Sequence, residues 1–315
     1  MIASSKPAEE PDTAKLNETE PRRKMKVRNE SIPSSLVEVE LSALSHVGAV
    51  RPNNEDHFLA VRAERNLENV LSNLPVDALP NTYSETAYGM CVADGIGGMP
   101  AGGLASILAL RKLIDLIVTT PDWIMRMSPR KAVIVKKRLI DRFHQIDTAL
   151  RERGERDPSL SGMGTTLTVA MSFSDELFVA NLGDSRAYLL RGSDFRQLTR
   201  DHTLAQAMID AGVATETDET INKMRRVLTA AVGSTAPPTD PEVQRLKLQH
   251  GDQLLLATDG LTDYVDPDTT ASIMRATGSA DEACRALIDK ALASDSKDNI
   301  TVLVARYRFP QSNVS

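Results

Sequence analysis

The sequence predicts an α+β chain whose sheet is mainly antiparallel. β-rich runs at 164–173 and 177–182 are separated by a short turn, which is the pattern of a hairpin in an antiparallel meander. Apolar residues at three- and four-residue spacings predict helices over 129–153 and 280–292. No boundary in this mixture of strands and helices requires a second domain, so one folded domain is expected.

Composition limits the possible function classes. The chain has 315 residues, 41% of them hydrophobic, a net charge of −6 and a pI near 5.5, so one large core is expected and a nucleic-acid surface is not. Cys91 lies in a predicted apolar strand and Cys284 in a predicted helix, and both are expected to be buried thiols. No apolar run approaches the roughly 18 residues that a membrane span requires. We therefore expect a cytoplasmic monomer without a membrane span.

The domain boundaries follow from local composition. Residues 1–36 are rich in charged residues and proline, which predicts a disordered tail, and 309–315 is expected to be a C-terminal tail. The catalytic domain is expected over 37–308. Within it, 63–86 is predicted to be an irregular insertion and 203–226 a flap that shapes substrate access.

The glycine-rich stretch at 89–106 is the centre of the functional interpretation. Its apolar start predicts a buried strand that ends at Asp94 and Gly95, where a side chain and a close backbone carbonyl could face a hard cation such as Mg²⁺ or Mn²⁺. The following helix is expected to bury Leu104, Ile107 and Leu108. A tight turn without a ligand is the alternative, whereas the glycine spacing fits no phosphate-binding or dinucleotide motif.

Four aspartates stand at the ends of predicted strands: Asp56, Asp94, Asp259 and Asp298. If they converge, their charges repel by several kcal/mol in total, and two divalent ions would neutralise them. Such a pair can hold a bridging hydroxide that attacks phosphorus. Arg51 would then bind the phosphate through its planar guanidinium, although a surface ion-pair cluster is the alternative for that loop.

Seven motifs in a fixed order support this chemistry. They are RPNNED at 51–56, ADGIGG at 93–98, MGTT at 163–166, GDSR at 183–186, RDH at 200–202, ATDG at 257–260 and SKDN at 296–299. Together, the set resembles the metal-dependent protein phosphatases of the 2C type, most closely the bacterial ones, over residues 40–308. The resemblance implies a four-layer α-β-β-α sandwich with two mainly antiparallel sheets flanked by helices.

The resemblance also implies roles for individual residues. Two Mn²⁺ or Mg²⁺ ions would be held by Asp94, the Gly95 carbonyl, Asp259 and Asp298, with Glu55 and Asp56 binding directly or through water. A third, more labile ion would use Asp184, with Asp263 as a further candidate, and Arg51 would bind the substrate phosphate. Ile96, Met99 and Gly103 depart from residues that the family often has, and we expect them to alter loop packing or rate modestly.

These observations predict a metal-dependent phosphoserine and phosphothreonine phosphatase whose substrates include Ser/Thr kinases or their targets. One alternative is a non-catalytic phosphoprotein-binding member of the same fold, which degenerate ligand positions would favour. Another is a two-metal phosphodiesterase acting on nucleotides, which the acidic composition and the motif order disfavour.

Overall fold

Two five-stranded antiparallel sheets form the centre of the protein. The computed structural model describes residues 34–71, 73, 82–97, 101–119, 129–215, 217–235 and 237–310. The strands are β1 (Glu38–His46), β2 (His57–Glu68), β3 (Thr82–Ala93), β4 (Gly95–Ile96), β5 (Gly164–Thr165), β6 (Leu167–Phe173), β7 (Glu176–Leu182), β8 (Arg186–Arg191), β9 (Asp194–Gln197), β10 (Glu242–Lys247), β11 (Gln253–Ala257) and β12 (Ile300–Arg308).

The first sheet has the order β1-β12-β11-β8-β9 and the second the order β10-β7-β6-β3-β2, while β4 and β5 form a small separate ladder. The α-helices are α1 (Ala101–Thr119), α2 (Pro129–Arg156), α3 (Leu204–Asp210), α4 (Asp259–Thr262), α5 (Pro267–Ala276) and α6 (Ala280–Ala293). Among the described residues, no helix has both the length and the apolar character needed to cross a bilayer.

Three hydrophobic clusters separate four layers. One cluster joins α1 and α2 to the second sheet, a middle one fills the space between the sheets, and the third joins the first sheet to α5 and α6. Strand β12 shows the alternation that this requires, since Val302 and Val304 face the helices while Leu303 and Ala305 face the other sheet. The α-β-β-α fold class predicted from the sequence is confirmed.

Side-chain caps set the starts of the helices on the first sheet. The Asp266 carboxylate accepts a hydrogen bond from the Thr269 amide, and Pro267 occupies the first turn of α5. The Ser279 hydroxyl accepts from the Glu282 amide at the start of α6. Helix α6 packs directly on strands β1 and β12, and α5 packs on α6 and β9.

The structure corrects some predicted boundaries. Strands β2 and β3 pair from His57↔Ala93 to Glu68↔Thr82, so residues 63–68 and 82–86 of the predicted irregular insertion at 63–86 are regular strand. The tail predicted for 1–36 lies outside the described residues up to 33, but Ser34–Leu36 forms a 3₁₀ turn whose buried Ser34 hydroxyl accepts from the Thr86 amide. Phe309 is buried in the middle cluster, so the fold extends one residue beyond 308.

The buried face of α1 also differs from the prediction. The helix buries small residues, among them Ala101, Ala105 and Ala109, whereas Ile107 is exposed. Small side chains let the helix approach β4 and the second sheet closely. The apolar spacing alone placed the larger residues inward, because it carries no information about how near the neighbouring backbone lies.

Candidate active site

The strand ends predicted to carry function converge on one cleft of about 480 Å³. Asp94 follows β3, Asp259 begins α4 just after β11, and Asp298 lies two residues before β12. Both sheets and the turns that join them therefore contribute. The lining includes Arg51, Glu55, Asp94, Gly95, Asp184, Asp259, Asp263 and Asp298, so each of these predicted site residues borders the same space.

The glycines of the central turn allow close backbone approach. A Cβ on Gly95 would overlap the carbonyl group of Gly102, and one on Gly102 would lie 2.7 Å from the Glu55 carboxylate. Gly103 is less restrictive, since its nearest contact is an ordinary 3.7 Å to Glu55. The start of α1 thus packs directly on Glu55 and Gly95. Met99 lies outside the described residues.

Like charges dominate the electrostatics of the cleft. Burial raises the pKa of Asp94 well above its usual range, and the neighbouring carboxylates raise it further. The pKa of Asp259 is raised for the same two reasons, with Asp184 and Asp298 the leading charges. Because their negative charges disfavour one another, these side chains favour a bound cation.

Asp56 is the most buried of the predicted ligands, at 3% exposure. Its Oδ2 accepts a 2.7 Å hydrogen bond from the Thr258 hydroxyl, while its Oδ1 has no hydrogen-bond partner among the described residues. Burial raises the pKa of Asp56 to about 6 even though hydrogen bonds from Thr258 and Thr301 oppose the shift. A buried carboxylate oxygen without a donor is costly, and a cation or its water would satisfy it.

Arg51 lies at the rim of the cleft. Its Nη2 donates a 2.6 Å hydrogen bond to Asp298 Oδ2, and its side chain remains 53% exposed. The residue predicted to bind phosphate is therefore paired with a predicted metal ligand, a contact that the sequence pattern did not predict. Because a guanidinium has five N–H donors, this pair leaves others available.

A second acidic group lies on the other side of the cleft, around Asp184. Burial raises the pKa of Asp184 to about 7, and the charge of Asp201 is the next cause. Arg186 holds Asp201 through a bidentate contact in which Nη2 donates to Oδ2 at 2.6 Å and Nε donates to Oδ1 at 2.9 Å. Asp263 lies 3.7 Å from the Arg226 guanidinium, and burial raises its pKa as well.

The donor set fits divalent ions that retain water ligands. Carboxylates and a backbone carbonyl are the oxygen donors that Mg²⁺ and Mn²⁺ prefer. Within the ranges that the structure describes, no three acidic, histidine or cysteine side chains stand close enough to enclose one ion. Mg²⁺ sites typically use one or two carboxylates and complete the shell with water, which is compatible with this spacing.

Sequence reasoning missed some residues that shape the site. The Asn299 amide joins the segment around Arg51 to the start of β12, and Thr258 links Asp56 to β12, since its hydroxyl also accepts from the Thr301 amide. Arg226 enters the cleft from the predicted flap. Asn299 directly follows the predicted ligand Asp298 in the SKDN motif, and Thr258 directly precedes the predicted ligand Asp259 in the ATDG motif. That adjacency was the available signal.

Comparison with known proteins decides the family. The model of the protein phosphatase 2C family matches residues 77–294. The chain belongs to this family. It is therefore a protein phosphatase and a hydrolase, and the resemblance seen in the ordered motifs is confirmed.

Bacterial relatives agree with this assignment. The serine/threonine phosphatase stp of Listeria welshimeri is 32% identical over 220 residues, which cover 70% of this chain and 84% of that protein. PstP of Mycobacterium tuberculosis is 32% identical over 264 residues, covering 84% of this chain but 44% of PstP. The chain thus spans less than half of that relative.

Solved structures show the same fold. The crystal structure of the Mycobacterium tuberculosis phosphatase PstP/Ppp superposes with a TM-score of 0.69 at 28% identity, covering 86% of this chain and 99% of that one. The catalytic domain of PstP has also been solved in complex with two manganese ions, and it superposes with a TM-score of 0.67.

Proposed function

We propose that this protein is a metal-dependent phosphatase that hydrolyses phosphoserine and phosphothreonine in proteins. The observation that carries the proposal is the convergence of Asp94, Asp259 and Asp298 on one cleft with Arg51 at its rim, while Asp56 is buried close to Asp94. The serine/threonine specificity of the bacterial relatives supports the substrate class.

Two Mn²⁺ or Mg²⁺ ions would be held by Asp94, the Gly95 carbonyl, Asp259 and Asp298, with Glu55 and Asp56 completing the set. When bound, such ions lower the pKa of a coordinated water and stabilise charge on phosphoryl oxygens. The manganese complex of PstP supports the choice of metal. A third ion at Asp184 and Asp263 is part of the proposal and rests on the second acidic group.

The chain's own residues orient the substrate. Arg51 is exposed at the rim, and its remaining N–H donors would bind two phosphate oxygens. Ile96 lines the cleft beside Gly95 and carries no proton to give, so the leaving alkoxide would be protonated by water. The flap at 203–226 contributes Arg226 to the lining and would shape selectivity among phosphoproteins.

Release of phosphate from a phosphothreonine peptide tests this function. Wild-type protein should turn over with Mn²⁺ or Mg²⁺ and stop after EDTA. Asp259→Asn keeps the shape of the side chain but removes a charge that the ions need, so we expect activity to fall at least about 1000-fold. The matched control is Asp240→Asn, an exposed carboxylate paired with His144 on α2, which should keep full activity.

The same assay separates the alternatives. Folded protein that binds the phosphopeptide without turnover would favour a non-catalytic binding role, and faster cleavage of a bis-aryl phosphodiester would favour a phosphodiesterase. Either result would overturn the proposal.

We also propose that the protein acts as a cytoplasmic monomer on Ser/Thr kinases or their targets. Light scattering after size-exclusion chromatography tests the oligomeric state, and dephosphorylation of an autophosphorylated Ser/Thr kinase tests the substrates. A stable dimer would contradict the proposed monomeric state. No dephosphorylation of any phosphorylated kinase tested would contradict the proposed substrates.

A further inference from the structure

We propose that Asn299 is a positioning residue that holds the Arg51 loop, defined as residues 47–55, against the start of β12. Its significance for catalysis rests on the proposed function. The Asn299 side chain is buried, at 6% exposure, and it joins two segments almost 250 residues apart in sequence.

The contacts of the Asn299 amide are all with backbone of the Arg51 loop. Its Nδ2 donates to the Val47 carbonyl at 2.8 Å and to the Asn53 carbonyl at 2.9 Å. Its Oδ1 accepts from the Glu55 amide, also at 2.9 Å. One side chain therefore fixes the loop at its beginning and at its end, with Arg51 between the fixed points.

These contacts explain why an asparagine is needed there. The side chain must donate twice and accept once over a short reach, which an aspartate cannot do because it has no N–H donor. Both Nδ2 hydrogens are used, so none remains to donate to a phosphate. Asn299 therefore acts through the loop and not on the substrate.

A second close contact supports the same interface. Gly48 has φ +80°, and a Cβ there would overlap the backbone carbonyl group of Asp298. The loop backbone thus packs directly on Asp298 and Asn299. At the other end of the loop, Asn54 Nδ2 donates to the Ser45 hydroxyl, which bonds to the hydroxyl of Thr301 on β12.

Two consecutive residues therefore hold Arg51 by different routes. Asp298 contacts the guanidinium itself at 2.6 Å, and Asn299 fixes the backbone that carries it. The same fixation sets the position of Glu55 and the adjoining Asp56. Loss of the Asn299 amide should thus weaken phosphate binding through Arg51 and metal binding through Glu55 and Asp56 together.

A double-mutant cycle with inorganic phosphate tests the positioning role. Affinities of the Mg²⁺-loaded proteins are measured for wild type, Arg51→Ala, Asn299→Ala and the double variant. Because a charge-assisted hydrogen bond is lost, we expect Arg51→Ala to weaken phosphate binding about tenfold or more in wild type. In Asn299→Ala, where the loop is no longer held, the same change should cost less than about threefold. Additive effects would overturn the proposal.

Calorimetric titration with Mn²⁺ alone gives a readout that needs no turnover. Asn299→Ala should bind Mn²⁺ about tenfold more weakly than wild type, since Glu55 and Asp56 are no longer held. The control is Ser34→Ala, which removes a buried hydrogen bond at the far end of β3 and should leave Mn²⁺ affinity unchanged. Equal Mn²⁺ affinity of Asn299→Ala and wild type would also overturn the proposal.

Asn299→Asp covers the case in which the alanine variant does not fold, because it keeps the shape and the acceptor but loses both donors. In the Asn299→Asp background, Arg51→Ala should also weaken phosphate binding by less than about threefold. Wild type that binds phosphate and Mn²⁺ but does not turn over phosphopeptide would contradict the proposed function alone, and the cycle would still decide the role of Asn299.

Discussion

Buried carboxylates occur in two different settings in this protein. Asp252 and Glu176 have almost no exposed side-chain surface, and each is held by an arginine through two hydrogen bonds, Arg191 and Arg245 respectively. The cleft aspartates, by contrast, face mainly one another.

The direction of each pKa shift depends on the charge of the groups around the carboxylate. Burial alone raises the pKa of Glu176, but the hydrogen bonds from Arg245 and Lys247 outweigh it and the pKa is lowered. Burial also raises the pKa of Asp94, and there the neighbouring charges act in the same direction. Where a carboxylate serves the fold, the chain supplies its own cation. In the cleft the chain supplies too few cationic side chains to neutralise the carboxylates, which indicates that metal ions from solution bind there.

The largest expected effect on stability comes from removing an arginine side chain that pairs with a buried carboxylate. Arg191→Ala leaves the Asp252 carboxylate buried with the Gln249 amide as its one remaining donor within the described part of the chain, so we expect a loss of about 3 kcal/mol in the free energy of unfolding. Urea unfolding measures it, and phosphatase activity per folded molecule should not change.

The control for that change is Arg285→Ala, which breaks an exposed pair with Asp281 on α6. It should cost about 0.5 kcal/mol or less. Equal losses in the two variants would show that burial does not distinguish these pairs.

A slightly smaller effect per bound ion is expected from supplying the external cation. Mn²⁺ at about 100 times its dissociation constant should add about 2.7 kcal/mol to the free energy of unfolding for each ion bound, because it binds the folded cleft. Arg191→Ala should gain as much as wild type, whereas Asp259→Asn should gain little. Thermal unfolding with Mn²⁺ and with EDTA measures this, and the same gain in Asp259→Asn would contradict the assignment of the ion to this cleft.

The smallest expected effect is a dependence on pH in the metal-free protein. Asp184 has a pKa of about 7 when folded and an ordinary value of 3.8, so the folded state binds more protons between these values. Stability therefore falls as pH rises through that window. Since the side chain partly faces the cleft, Asp184→Asn should reduce the fall between pH 5 and pH 7.5 by about 1 kcal/mol.

Urea unfolding in EDTA at the two pH values measures this difference. Asp240→Asn, which changes an exposed carboxylate, should leave the pH dependence as it is in wild type. Parallel curves for wild type and Asp184→Asn would show that Asp184 does not titrate in this window.

The family resemblance of the ordered motifs predicted the fold class, and local patterns predicted the strand ends. An apolar run that stops at Asp-Gly, as at Asp94 and Gly95, is visible without a structure. Contacts that depend on distant segments were not visible. The Arg51 pair with Asp298, the burial of Ala105 instead of Ile107 and the extension of the β2–β3 hairpin each depend on which backbone lies opposite.

The pairing of β1 with β12 has a consequence for how the protein is made. Strand β12 lies between β1 and β11, so the first strand of the fold has no partner in its sheet until the last strand has left the ribosome. Arg51 and Asp298 meet only at that moment. A nascent chain is therefore expected to expose β1 unpaired until residues 300–308 emerge, and to complete the cleft only when they do.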